Sequence, residues 1–161
     1  MTTAHLTSVL DERYFELERM HGEEGSRLAA ESHLTAINRI ETIVASERIE
    51  CDFERLNGYL FLAPDDDEET LARELEAVQR AGMDAALVEL APKPAIERGR
   101  CLLFPNQAQF HPLNYVAGLA RAIQRIEGSP LPLSLGGRRA IRLYRWFQIV
   151  STTPFSAAAL P

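Results

Sequence analysis

Four hydrogen-bonding side chains, Asn106, Gln107, Gln109 and His111, fall within six residues between an apolar run and a helix start. The run is Cys101-Leu102-Leu103-Phe104, read as a short strand closed by Pro105. The helix opens at Pro112, whose fixed φ and missing N–H suit the first helical position. A polar turn that couples a strand to a helix is where a cofactor enzyme would set the side chains that orient a small molecule. On these residues alone an ordinary solvated loop is the plainer reading. His111, directly before Pro112, also reads as the cap of that helix.

Other residues that could do chemistry are sparse. His21 and His33 stand twelve apart and do not share a helix face in the i,i+4 manner of a metal pair, so they read as surface side chains. Cys51 and Cys101 form no CxxC pair, which signals neither zinc nor a disulfide framework, and they read as buried free thiols. The acidic run from Asp65 to Glu69 has a structural explanation, because carboxylates complement the positive end of a following helix and consecutive ones rarely converge on one ion. No metal is expected.

The elements that must position these residues follow from periodicity and punctuation. Residues 2–7 are polar and β-branched, favouring an extended or loop conformation before Asp11 can cap a short helix over 11–21 that stops at Gly22. A longer helix is expected over 26–44, with Ala30, Ile37, Ile40 and Val44 inward and Glu31, Arg39 and Glu41 on the wet side. Asn57-Gly58 accepts the positive φ angles of a type I′ turn, so 52–56 and 59–63 are expected to make a β-hairpin. Its second strand, apolar on both faces, reads as an inner strand, with Tyr59 in the core. Next come a helix with Leu71, Leu75 and Val78 on its stripe and Gly82 at its end, a strand over 86–90, and a loop held open by Pro92 and Pro94. In the Pro112 helix, Leu113, Val116, Ala120 and Ile123 are the expected buried stripe and Gly128 the C-terminal cap. Strands and helices mix without strict βαβ alternation. The expectation is an α+β fold, with a mixed or antiparallel sheet and helices on one side.

With 161 residues, the chain has material for one core. All 23 acidic residues lie at or before Glu127 beside 13 Lys and Arg, giving that part a charge of −10, while the remainder holds four arginines and no acid. An acidic body offers no footprint for nucleic acid, whose binding rests on neutralising phosphates. No apolar run reaches the roughly 20 residues that span a bilayer, and no signal-peptide pattern is present, so a reduced cytoplasmic setting is the default expectation without a membrane partner.

Three segments, Thr2 to Gly25, Asp52 to Pro64 and Phe104 to Tyr115, together resemble the D-amino-acid-oxidase-type FAD-dependent oxidoreductases. The likeness is to the bacterial branch that often carries a C-terminal Rieske iron–sulfur domain, and it covers residues 2–127. It implies FAD as cofactor and oxidation of an amine or amino acid, with hydride passing to the flavin. Thr2, Thr3 and His5 fall in the stretch that runs past the flavin, which makes them candidate cofactor contacts, and Gln107, Gln109 and His111 become candidates on the substrate side. Such an enzyme needs a glycine-rich turn for the pyrophosphate. The nine glycines contain no G-x-G-x-x-G, so by the resemblance that turn would lie upstream of Met1. The Rieske ligand set of two cysteines and two histidines is likewise absent.

The resemblance divides the chain into a remnant of the FAD-binding domain (1–10), a substrate-side α+β domain (11–127) and a divergent basic tail (128–161), for which a shifted reading frame or disorder is the expectation. The alternative to an enzyme is a non-catalytic α+β interaction module, or half of a split enzyme completed by a chain that carries the missing nucleotide-binding half.

Overall fold

A computed structural model describes residues 4–62, 67–89 and 99–127 and the strand 147–149. The elements in order are β1 (His5–Leu6), α1 (Tyr14–Glu47), β2 (Glu54–Phe61), α2 (Glu68–Arg80), β3 (Ala86–Val88), β4 (Cys101–Gln109), α3 (Pro112–Glu127) and β5 (Phe147–Ile149). The sheet order is β1-β4-β2-β5, β3 also pairs with β4, and every pairing is antiparallel. The fold is α+β, and the sheet is the antiparallel variant of the expected class.

β2 occupies an inner position and buries both faces, as its apolar sequence requires. Leu60, with Leu102 and Phe104 of β4, packs against Tyr14 and Ala30 of α1 and Leu71 and Val78 of α2. On the opposite face Tyr59, Phe61 and Cys101 pack with Val88 and Leu103. Cys51 and Cys101 are buried and free, and His21 and His33 are exposed.

The expected hairpin at Asn57-Gly58 does not form. Both residues lie inside β2, which runs unbroken from Glu54 to Phe61 along β4. The irregularity moves to the partner strand. Leu56 faces Gln107 and Gly58 faces Phe104, so Asn57 alone opposes Pro105 and Asn106 in a β-bulge. Asn106 takes the left-handed conformation at φ 61°, which Asn tolerates, and Pro105 falls where the ladder is already interrupted. β4 therefore continues to Gln109 instead of closing at Pro105, and Gln107 and Gln109 are buried strand residues, not loop residues.

α1 is broken at Gly22 (φ 72°, ψ 169°), the expected stop, but helix resumes at once instead of at Ser26 and runs to Glu47. Asp11 does not cap it; the cap position is Arg13, whose side chain makes no capping bond, and the carboxylate of Glu74 in α2 accepts from the Phe15 N–H at 3.4 Å. In α2, Asp67 accepts from the Thr70 N–H at 2.9 Å, and Glu68 and Glu69 occupy the first turn, as the acidic run implies.

The expected buried stripe of α3 is also corrected. Leu113, Val116 and Ile123 are 64%, 46% and 40% exposed, and Ala120 is half-buried. The inward face is made of small residues, Gly118 and Ala122, with Gly118 seated directly on Ile49. Arg125 reaches Glu47 at 2.8 Å and ties α3 to the end of α1. Of the tail after residue 127 only β5 is described, paired with β2; Gly128, the loop holding Pro92 and Pro94 and the rest of the tail lie outside the described residues.

Candidate functional site

The pairing of β1 with β4 brings together residues about 100 positions apart. His5 lies opposite Gln109 and Leu6 opposite Ala108, while on its other side Gln109 faces Glu54 of β2. His5, Gln109 and Glu54 thus form one row across three strands, and Gln109 Nε2 donates to Glu54 Oε2 at 3.0 Å. Burial holds the His5 pKa below its ordinary value and favours the neutral imidazole. A candidate cofactor contact and a candidate substrate-side residue are therefore direct neighbours. Thr2 and Thr3 lie outside the described residues.

Gln107, two positions along, is 1% exposed and its polar atoms are turned inward. Oε1 accepts from the Ser8 N–H at 2.7 Å, the Thr7 hydroxyl at 3.0 Å and the Ser8 hydroxyl at 3.2 Å. Nε2 lies 3.1 Å from Ser8 Oγ and donates to the Pro105 carbonyl at 2.9 Å. This fills the amide's hydrogen-bonding capacity within the chain. The same segment is fixed from below by the Tyr14 hydroxyl, which donates to the Ser8 carbonyl at 2.8 Å. Burial and the nearby Glu74 carboxylate raise the pKa of that phenol and keep it protonated.

His111 sits apart from the row. Its Nδ1 accepts from the Asn114 N–H at 3.3 Å, its carbonyl from the Tyr115 N–H at 3.0 Å, and its own N–H donates to the Cys51 carbonyl at 2.6 Å. It caps α3, with Pro112 as first helical residue.

Beside this seam a cleft of about 460 Å³ opens between α1, the β4 bulge and the turn after α2. Ser8 and Gln107 form part of its wall, and Leu34 and Met83 supply apolar surface. Its polar centre is Arg55, which the sequence reading did not single out. Arg55 Nε and Nη2 donate to Glu41 Oε2 at 3.2 and 2.7 Å, Nη2 also to Asn38 Oδ1 at 2.6 Å, and Nη1 to the Asn106 carbonyl at 2.6 Å. The guanidinium pins α1 to the bulge and is neutralised where it stands. Asn38 and Glu41 are one helical turn apart, yet only the packing of α1 over β2 reveals their partner.

The described residues do not fit the pyrophosphate end of a dinucleotide. Such an anion needs a free helix N-terminus after a glycine turn. Among the described residues the starts of α1, α2 and α3 are taken by the chain's own side chains, Glu74 at α1, Asp67 at α2 and His111 at α3, and the restart of α1 after Gly22 carries Glu23 and Glu24, whose charge opposes a phosphate. Among the described residues no group of three or more His, Cys, Asp or Glu could hold a metal ion, and no helix is long and apolar enough to cross a membrane.

Comparison with known proteins agrees with this architecture. The profile of the FAD dependent oxidoreductase (DAO) family matches residues 2–129. Over 122 residues the chain is 34% identical to the "Putative Rieske 2Fe-2S iron-sulfur protein YhfW" of Bacillus subtilis (strain 168), a match that covers 76% of this chain and 24% of that protein. The chain thus spans about a quarter of the length of this curated relative. No solved structure matches. With four fifths of its residues under the family profile, the chain belongs to the DAO family of FAD-dependent oxidoreductases.

Proposed function

We propose that this polypeptide forms the substrate-side layer of a flavoenzyme that oxidises the C–N bond of an amine or amino acid, in a reducing cytoplasm that keeps Cys51 and Cys101 as thiols. The observation that carries the reading is the row His5–Gln109–Glu54, together with the tie from Thr7 and Ser8 to Gln107: residues about 100 positions apart converge on one edge of the sheet. When bound, the flavin supplies the redox chemistry, and side chains orient the substrate and tune charge. His5, Thr2 and Thr3 are the proposed contacts on the cofactor side, and Gln109 is a direct substrate-side contact. Gln107 and His111 serve that side by holding the backbone, the Gln107 carboxamide through Ser8 and Pro105 and His111 Nδ1 through the start of α3. The glycine-rich turn comes from a nucleotide-binding half outside this chain.

Incubation with FAD followed by gel filtration tests the arrangement. The expected result is no stoichiometric flavin absorbance with the protein peak; tight one-to-one retention by this chain alone would refute the placement of the anion-binding turn outside these 161 residues. A second reading, a non-catalytic interaction module, draws on the exposed Leu113, Val116 and Ile123 of α3. It gains if flavin-binding polypeptides supplied with this chain yield a folded complex without turnover.

A further inference from the structure

We propose that the cleft between α1, the β4 bulge and the turn after α2 binds a small alkylammonium ion lacking a carboxylate, held by Asp84, Asn106 and Glu41. The proposal rests on the reading of this face as the substrate side and narrows "amine or amino acid" to the first.

Gln107 and Ser8 satisfy each other. Arg55 is the sole cation among the described lining residues, and three partners already surround it: Glu41, Asn38 and the Asn106 carbonyl. A ligand carboxylate would have to displace Glu41 to reach it. What remains is acceptor-rich. Both Arg55 contacts fall on Glu41 Oε2, and Oε1 makes no hydrogen bond to the described residues. Asp84 lines the cleft with no ion pair or hydrogen bond to the described residues. Asn106 lines the cleft too, its carbonyl committed to Arg55 and its carboxamide without a hydrogen bond to the described residues, at a bulge of the kind that re-aims side chains next to binding sites.

Charge points the same way. With Arg55 and Glu41 cancelling, Asp84 leaves the cleft one net negative charge. An ammonium group offers three N–H donors to the three acceptor groups, the Asp84 carboxylate, Glu41 Oε1 and the Asn106 carboxamide, and Leu34 and Met83 can take a short alkyl body. The volume, about 460 Å³, falls within the range of small-ligand sites, roughly 300–1,000 Å³.

The test compares two molecules that differ by the carboxylate alone: isobutylammonium chloride and valine, each titrated into the ¹⁵N-labelled full chain without FAD. Saturable amide shifts around Asp84 and Asn106 are expected for isobutylammonium at a Kd on the order of millimolar, with valine at least tenfold weaker. Asp84→Asn and Asn106→Gly, the latter chosen because glycine keeps the left-handed backbone, should each weaken isobutylammonium at least fivefold, and Glu31→Gln on the outer face of α1 should not. Equal or tighter binding of valine, loss of affinity in Glu31→Gln alone, or no saturable response overturns the proposal. Should a cleft variant fail to fold, the comparison of the two ligands on the wild-type chain still decides. Flavin retention is measured separately, so a failure of the family-level reading leaves a different signature from a failure of this one.

Discussion

Gln107→Leu separates a residue that builds the site from one that would touch a ligand. Leu has nearly the volume of Gln, so the substitution opens little cavity and isolates the polar loss. Two backbone groups lose their partners, the buried Ser8 N–H, bonded at 2.7 Å, and the half-buried Pro105 carbonyl, bonded at 2.9 Å, and the buried Ser8 hydroxyl loses both of its bonds to the carboxamide. The Thr7 hydroxyl keeps the Val9 N–H as its donor at 3.0 Å, so its loss is partial. An unsatisfied buried backbone group costs about 1–3 kcal/mol, and the better burial of Leu offsets part of that, leaving about 2–4 kcal/mol. For a chain of this size the corresponding fall in Tm is roughly 6–12 °C. Urea denaturation gives the magnitude, and hydrogen exchange locates it: the Ser8 amide and the β1 amides should lose protection before β2 and β4 do. A variant within about 0.5 kcal/mol of wild type, with Ser8 still protected, would show that β1 is held by other contacts and that the engaged amide is incidental.

Two more substitutions probe the packing that positions the seam. Burial raises the pKa of Glu74 above its ordinary 4.5, outweighing the N–H groups of Tyr14 and Phe15 that lower it, so the folded state holds this proton more tightly than the unfolded state. Its contribution is complete below 4.5 and is lost as pH rises through the folded value. Glu74→Gln, which can still accept from the Phe15 N–H, should therefore gain stability relative to wild type as pH rises above 4.5, read from urea midpoints; a difference that does not change with pH would contradict the assignment. On α3, Gly118→Ala should destabilise by about 1–2 kcal/mol, because its Cβ would overlap the branched Ile49 side chain by more than the helix-propensity gain recovers, whereas Leu113→Ser with Val116→Ser should cost about 0.5 kcal/mol or less each. Thermal melts of the two variants check the order; the reverse order would restore the outer stripe as the packing face.

Local signals proved readable where the chain satisfies itself locally. Gly22 breaks α1 through its own left-handed φ, and Asp67 at α2 and His111 at α3 cap through bonds spanning three residues. They were misleading where a distant strand overrides local preference. Asn57-Gly58 carries a turn signal, yet β4 offers β2 a ladder from Glu54 to Phe61, and an unbroken strand satisfies more backbone groups than a two-residue turn would. The α3 stripe failed for a related reason. Periodicity identifies an amphipathic helix but not which neighbour is present to cover it, and within this chain the neighbour is Ile49, which admits only the glycine side.

The candidate site shows the same division more sharply. Residue type nominated His5, Gln107 and Gln109, but what each can do depends on register, which no local pattern encodes. A one-residue slip of β1 against β4 would set His5 opposite Ala108 or Phe110 and turn its ring to the other face of the sheet. The Gln107 strut supplies the missing specification: its carboxamide bonds the backbone of Ser8 on one side and of Pro105 on the other, so only one register satisfies both. The bulge at Pro105-Asn106 then shifts the phase of β4, so Gln107 and Gln109 fall opposite Leu56 and Glu54 and the Asn106 carbonyl meets Arg55. Function in this layer therefore depends on a registration device first and on chemically capable side chains second. A residue can be indispensable to the site while every polar atom it owns is directed at its own backbone.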